Sequence, residues 1–293
     1  MMRSIFNRLT FILPVSFLLI ILLGVSPGYV SARGKTNALA VGKYYSIIPI
    51  NQISQSGDKS KTSVNLKPDQ YMVAHNDTVL SISKKLGVTP SALKWANNQK
   101  LDIKEGKILQ IPIRQNKPLK DIIKEKGINI KATPLEIHVN KTDHVLGIII
   151  NGALIKTYSV DIGDNGLGDK VARGDHKTPE GTFYITEKSV LNPEDEYLGT
   201  RWMRLSYPNA EDAERGLQNG IIDAETYKQI KDAISNKETP PQETGLGGSV
   251  GIHGGSKKEF GSDWTWGCVG LTNSSVEDFF NFVNIGTKVI IEK

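Results

Sequence analysis

The stretch Ile252-His253-Gly254-Gly255-Ser256-Lys257-Lys258-Glu259-Phe260-Gly261-Ser262-Asp263-Trp264-Thr265-Trp266-Gly267-Cys268-Val269-Gly270-Leu271 contains the only cysteine of a 293-residue chain. Val250-Gly251-Ile252 reads as an apolar strand that ends on His253, and a polar, glycine-bearing loop separates it from Cys268. A thiol attacks only as the thiolate, and a neighbouring imidazole can take its proton. A strand-loop-strand return is expected to bring His253 and Cys268 side by side. Gly267 lets the backbone approach a substrate closely, and amides near Cys268 are expected to face an oxyanion. Spacing alone leaves the bland alternative open, in which the cysteine is a small buried hydrophobe. A lone thiol cannot be a disulfide staple within its own chain.

Around this stretch the pattern is β. Leu135-Glu136-Ile137-His138-Val139 alternates, Val145 to Ile150 is continuously apolar, and Asn151-Gly152 is a hairpin signal before the partner strand Ala153 to Val160. Phe183-Tyr184-Ile185, Arg204 to Tyr207 and Val289-Ile290-Ile291 read as further strands, and Val276 to Val283 as a short helix. A helical insertion spans about 210–236, with Ile222, Tyr227, Ile230 and Ile234 on one face. The expectation is a mostly-β domain over 134–293.

Residues 68–114 predict a much smaller unit. Tyr71-Met72-Val73-Ala74 reads as a strand, and Val79, Ile82 and Leu86 as a helix stopped by Gly87. Thr89-Pro90 starts a second helix, and Lys107 to Ile111 gives a closing strand. A βααβ unit of this size has little core and suits binding better than catalysis. The lysine-rich segment 115–133 is expected to be a solvated linker or a short surface helix, and 33–67 a linker. Within 33–67, Gly34-Lys35-Thr36 imitates the end of a phosphate-binding loop, but the required first glycine falls on Tyr29. Residues 1–32 join Arg3 and Arg8 to an apolar run and the small residues Val30-Ser31-Ala32, as in a secretory signal peptide or a retained membrane anchor.

Two resemblances sharpen these readings. Residues 71–112 resemble the LysM module through Tyr71, Val73, Asp77-Thr78, Ile82, Gly87-Val88, Leu93, Asn97, Gly106 and Leu109 to Pro112. That resemblance implies binding to peptidoglycan glycan, with the contacting residues within 71–112 unassigned. Asn76 stands where the module usually has glycine, and asparagine tolerates the left-handed turn. Residues 134–293 resemble the L,D-transpeptidase catalytic domain, also called YkuD. The matching residues are His253-Gly254, Thr265-Trp266-Gly267-Cys268, Gly163, Gly174-Asp175, Lys177 to Gly181, Phe183 and Gly286 to Val289.

This second resemblance implies a β-sandwich-like fold with Cys268 as nucleophile and His253 as general acid/base. Gly254, Thr265, Trp266 and Gly267 are expected to support the oxyanion or substrate. The implied reaction is acyl transfer at the diamino-acid residue of peptidoglycan stem peptides, without cofactor or metal, in the bacterial envelope. Hydrolysis of stem peptides, release of wall-linked lipoprotein, and a non-catalytic wall-binding protein are the alternatives. Trp266 and Gly270 depart from the family, which often has His and Arg there, so this looks like a divergent branch.

Other classes find less support. A formal charge of +5, with no basic run interleaved with aromatics, makes no case for nucleic acid. No pair of ligands at zinc spacing stands out. Asp175 and Glu180 lie in a Gly/Pro turn, a poor place for a glycosidase carboxylate pair. His75, His138 and His144 are expected in solvated or satisfied polar roles, and His176 in a structural or substrate-rim role.

Overall fold

The computed structural model describes residues 66–67, 69–112, 117–257 and 260–293. The expected signal or anchor (1–32) and nearly all of the first linker lie outside the described residues. No helix among the described residues is long and apolar enough to cross a membrane.

The small domain is β1 (Gln70–Met72), α1 (Val79–Leu86), α2 (Pro90–Ala96) and β2 (Ile108–Gln110), with the two strands antiparallel. Its helices begin where side chains can serve the unpaired first-turn amides. The Thr78 hydroxyl accepts from Ser81 N–H while the Ser81 hydroxyl accepts from Thr78 N–H, a reciprocal capping box. Thr89 caps α2 and Pro90 fills its first position. Gly87 takes the left-handed conformation at φ 67°, which ends α1. Asn76 also sits left-handed, at φ 63°. The core is Tyr71, Val73, Ile82, Leu93 and Leu109.

The larger domain has one mixed sheet of eight strands. They are β3 (Leu135–Asn140), β4 (Val145–Ile150), β5 (Ala153–Ser159), β6 (Gly181–Asp195), β7 (Gly199–Leu205), β8 (Gly251–His253), β9 (Val269–Gly270) and β10 (Lys288–Glu292). Their order is β5-β4-β3-β10-β6-β7-β8-β9. The expected sandwich is thus one continuous sheet whose halves share β6. Gly181 to Tyr184 pair with β10, and from Ile185 onward β6 pairs with β7, with register shifts between Ile185 and Glu187 and between Val190 and Asp195. Both halves feed one core, running from Ile137, Ile148 and Val289 to Met203, Ile252 and Val269. Asn151 and Gly152, at φ 52° and 73°, make the hairpin turn between β4 and β5.

The 115–133 segment forms a short helix, the second of the two expectations, but not a helix confined to the surface. It carries α3 (Leu119–Glu125), whose Leu119, Ile122 and Ile123 are buried in the main core. Its first amide, Leu119 N–H, donates to the Asp278 carboxylate at 2.9 Å on α6 (Asn273–Phe280). Lys120 and Lys124 of the helix are exposed, so the lysine-rich composition hid its buried face. The insertion forms α4 (Ala210–Gln218) and α5 (Ala224–Asn236) around its own small core of Ala213, Ile222, Ile230 and Leu246. Arg215 of α4 holds the Asp169 and Asp212 carboxylates and the Lys170 carbonyl oxygen, tying the insertion to the 163–180 loop.

Candidate active site

Strand β8 ends on His253, and β9 begins immediately after Cys268. The two strands are parallel neighbours, with Ile252 opposite Val269 and His253 opposite Gly270. The expected simple return is therefore a crossover, in which residues 254–267 carry the chain back to the same end of the sheet. This register sets Cys268 across from Gly251. Side chains alternate along a strand, so Cys268 and His253 share a face. From strand spacing and rise, their Cα atoms lie about 8 Å apart on the diagonal.

His253 is fully buried, and its Nδ1 lies 2.7 Å from the Gly254 carbonyl oxygen. A carbonyl only accepts, so Nδ1 carries the hydrogen and Nε2 carries the lone pair. That Nε2 is buried without a hydrogen-bond partner. Tyr197, Trp264 and Trp202 surround the ring with centroids at 5.4, 5.6 and 6.1 Å. Burial among these rings lowers the imidazole pKa to about 4, against weaker upward pulls from the Gly254 carbonyl and Asp195. The turn that presents Gly254 is held by Asn273, whose Oδ1 accepts from Gly255 N–H at 2.9 Å and Thr200 N–H at 3.1 Å.

Cys268 is 7% exposed. Burial pushes its thiol up to about 11, although a Gly251 N–H directed at the sulfur, and the charges of Lys170 and Arg204, favour the thiolate. The S–H donates to the Ser249 carbonyl at 3.7 Å. Burial thus lowers the imidazole pKa and raises the thiol pKa, so moving the proton from sulfur to imidazole is uphill in the resting site. The resting pair is a neutral thiol and a neutral imidazole.

The peptide of Cys268 is fixed from two sides. Its carbonyl oxygen accepts from Thr265 Oγ1 at 2.7 Å and from Thr178 Oγ1 at 3.3 Å. Thr178 Oγ1 also accepts from Gly163 N–H at 2.9 Å. Gly267 sits at φ 124°, where a Cβ would meet the Lys177 carbonyl oxygen at 2.7 Å, so the close approach requires glycine. Behind this loop Lys141 is fully buried. Its ammonium donates to the Gly168 and Thr178 carbonyls, both at 3.0 Å, and pairs with Glu180 at 2.8 Å.

A cleft of about 340 Å³ reaches Cys268, with Lys170, Arg173, His176, Tyr197, Ser249 and Trp266 among its walls. Trp266 is 66% exposed and stacks on His176 on one loop and Tyr197 on another. Its N–H donates to Tyr197 Oη at 2.8 Å, and Gly267 N–H donates to Thr265 Oγ1 at 3.3 Å. Both amides thus already have partners inside the protein. Of the six residues singled out from sequence, Cys268 and Trp266 line the cleft. His253, Gly254, Thr265 and Gly267 are not among the residues that line it. His176 is on the rim. His138 pairs with Glu136, His144 with Asp263, and His75 with Glu105.

Sequence reading missed Tyr197, Thr178, Asn273 and Lys141. Thr178 lies inside the Lys177 to Gly181 run already noted, which was the available signal; nothing marked the others. Gly270 is tightly flanked by the Thr265 and Trp264 side chains. A Cβ there would meet Thr265 Cγ2 at 3.0 Å and Trp264 Cζ2 at 3.1 Å.

Solved structures overlap part of this fold. The helical cell shape determining protein Pgp2 from Campylobacter jejuni is 24% identical, covering 60% of this chain and 55% of that one, at a TM-score of 0.37. Bd1075 of Bdellovibrio bacteriovorus is 21% identical over 55% and 49%, at 0.37. An L,D-transpeptidase from Mycobacterium smegmatis is 13% identical over 55% and 59%, at 0.32. In sequence, the putative L,D-transpeptidase YafK of Escherichia coli K12 is 27% identical over 105 residues, which is 34% of this chain. The chain spans 42% of that relative's length. The family model of the L,D-transpeptidase catalytic domain, YkuD, matches residues 134–291. That match covers both residues of the buried pair and more than half of the chain, which therefore belongs to the YkuD L,D-transpeptidase family.

Proposed function

We propose that this protein is an exported peptidoglycan L,D-transpeptidase that uses Cys268 as nucleophile and His253 as general acid/base. The observation that carries the reading is the partnerless lone pair of His253 Nε2, on the same sheet face as the cleft sulfur, within the matched domain. As sulfur attacks the carbonyl of the diamino-acid residue of a stem peptide, its proton passes to Nε2 and a tetrahedral oxyanion forms. Collapse breaks the peptide C–N bond, and the leaving amine takes the proton from Nε2. An acceptor amine then attacks the thioester and gives its proton to Nε2, and collapse breaks the C–S bond and expels the thiolate, which takes that proton back from Nε2. The Gly254 carbonyl holds the imidazole in the required tautomer throughout, and stabilises the imidazolium through the Nδ1 hydrogen bond.

The small domain, through its LysM resemblance, would hold the glycan of the same polymer, and the apolar segment at 9–25 supports export to the envelope. Wall fragments incubated with the enzyme and weighed by mass spectrometry test the reaction. New crosslinked dimers are expected. Trimmed monomers or freed protein would show water as the acceptor instead. Cys268→Ala is expected to abolish dimer formation and covalent trapping by a carbapenem, and trapping that persisted would remove Cys268 as nucleophile.

A further inference from the structure

Strand β4 is buried at every position from Val145 to Ile150. One strand of a half-covered sheet alternates, so something must cover its second face. Leu146, Ile148 and Ile150 point into the main core, whereas Val145 and Ile149 pack with Leu154 against Trp95 of the small domain. Trp95 is 2% exposed, yet it belongs to this second cluster and not to the small domain's own core.

The seat is shaped for that ring. A Cβ on Gly147 would lie 2.8 Å from Trp95 Cε3 and 3.1 Å from Leu154 Cδ1, so glycine leaves a notch that the indole fills. The indole also meets His138 edge-on, with centroids 6.1 Å apart at 89°. A second tie is polar: the Asp143 carboxylate accepts from Ser91 N–H at 2.7 Å, at the start of the helix that carries Trp95. Trp95 Nε1 is buried without a partner, a cost that the apolar contacts of the ring must offset. A domain that only trailed on a tether would need none of these contacts.

We infer that the two domains form one rigid body, and that Trp95 is the positioning residue fixing a glycan held by the small domain relative to Cys268. The inference rests on the proposed function: glycan binding by the small domain and acyl transfer at Cys268. Two sites on one body meet a single polymer at an effective concentration set by geometry, whereas loose sites average over many separations. Loosening the seat therefore lowers turnover of the polymer and spares a free peptide that touches only the cleft.

The test uses the full chain with Trp95→Ala, which leaves the small domain's own core intact, and independently Gly147→Leu, which fills the notch from the other side. Backbone ¹⁵N relaxation is expected to give the wild type one correlation time for both domains, and each variant a shorter one for the small domain. Turnover of intact sacculi should fall about tenfold in the variants. Turnover of a soluble tetrapeptide ending in diamino acid and D-alanine should stay within about twofold, because the cleft is untouched. Separate tumbling in the wild type would overturn the inference, as would uncoupled variants that keep the wild-type sacculus-to-peptide ratio. Failure of the wild type to bind sacculi would instead sink the glycan reading, and turnover by Cys268→Ala the nucleophile reading. In both cases the relaxation data still judge the rigid seat.

Discussion

Alkylation of Cys268 by iodoacetamide reports its thiolate fraction directly. A thiol held at about 11, against an ordinary 9.0, has a thiolate fraction at neutral pH about 100-fold below that of a free cysteine. The rate constant is expected to climb about tenfold per pH unit from pH 6 to 10 without levelling off. A preformed thiolate-imidazolium pair would behave differently, with a plateau near neutrality and a fall only below the acidic pKa of the pair. His253→Ala should abolish turnover while moving this alkylation profile little, because the neutral imidazole donates no charge to the resting sulfur. Mass spectrometry of the modified protein at each pH gives the rates, with Cys268→Ala as the blank. A plateau between pH 5 and 8 in the wild type would refute the neutral resting state and the burial argument beneath it.

The same burial makes stability depend on pH through His253. Its folded value of about 4 lies below the ordinary 6.5, so the unfolded chain binds a proton first as pH falls, and stability drops between 6.5 and 4. The full loss is about 3 kcal/mol, and His253→Gln should remove that portion of the pH dependence in urea unfolding; a variant that kept it would place the titration elsewhere. Lys141→Met leaves the Gly168 and Thr178 carbonyls without their donor, while Glu180 retains some access to water. A loss of about 2–4 kcal/mol is expected in the same assay, and a change below about 0.5 kcal/mol would show that the buried ammonium is not what holds the loop.

Much of this structure could be read from local pattern. Capping residues at Thr78 and Thr89, Gly87 in the left-handed region, and Asn151-Gly152 all act within a few residues, and each appears where the sequence places it. The unbroken apolar run of β4 reads as a strand, but what covers its two faces was not legible. Long-range features stayed hidden. The polar half of β6, Glu187 to Asp195, has no buried residue, and its partner strand is β7. Lys141 reads as surface because lysines usually are, and only the fold reveals three oxygens converging on it. Tyr197 lies 56 residues from His253, which its ring overlies, and nothing in its neighbourhood marks it. The crossover between β8 and β9 also escaped, since spacing cannot distinguish parallel from antiparallel neighbours.

A sulfur kept in its protonated form has a consequence outside catalysis. Peroxide attacks the thiolate, and the burial that raises the thiol pKa keeps that form scarce at neutral pH. A lone cysteine, with no second cysteine in the sequence to resolve a sulfenic acid, is thereby less open to peroxide. The burial that lowers the pKa of His253 thus has a counterpart at the sulfur, where it disfavours the form that oxidants attack.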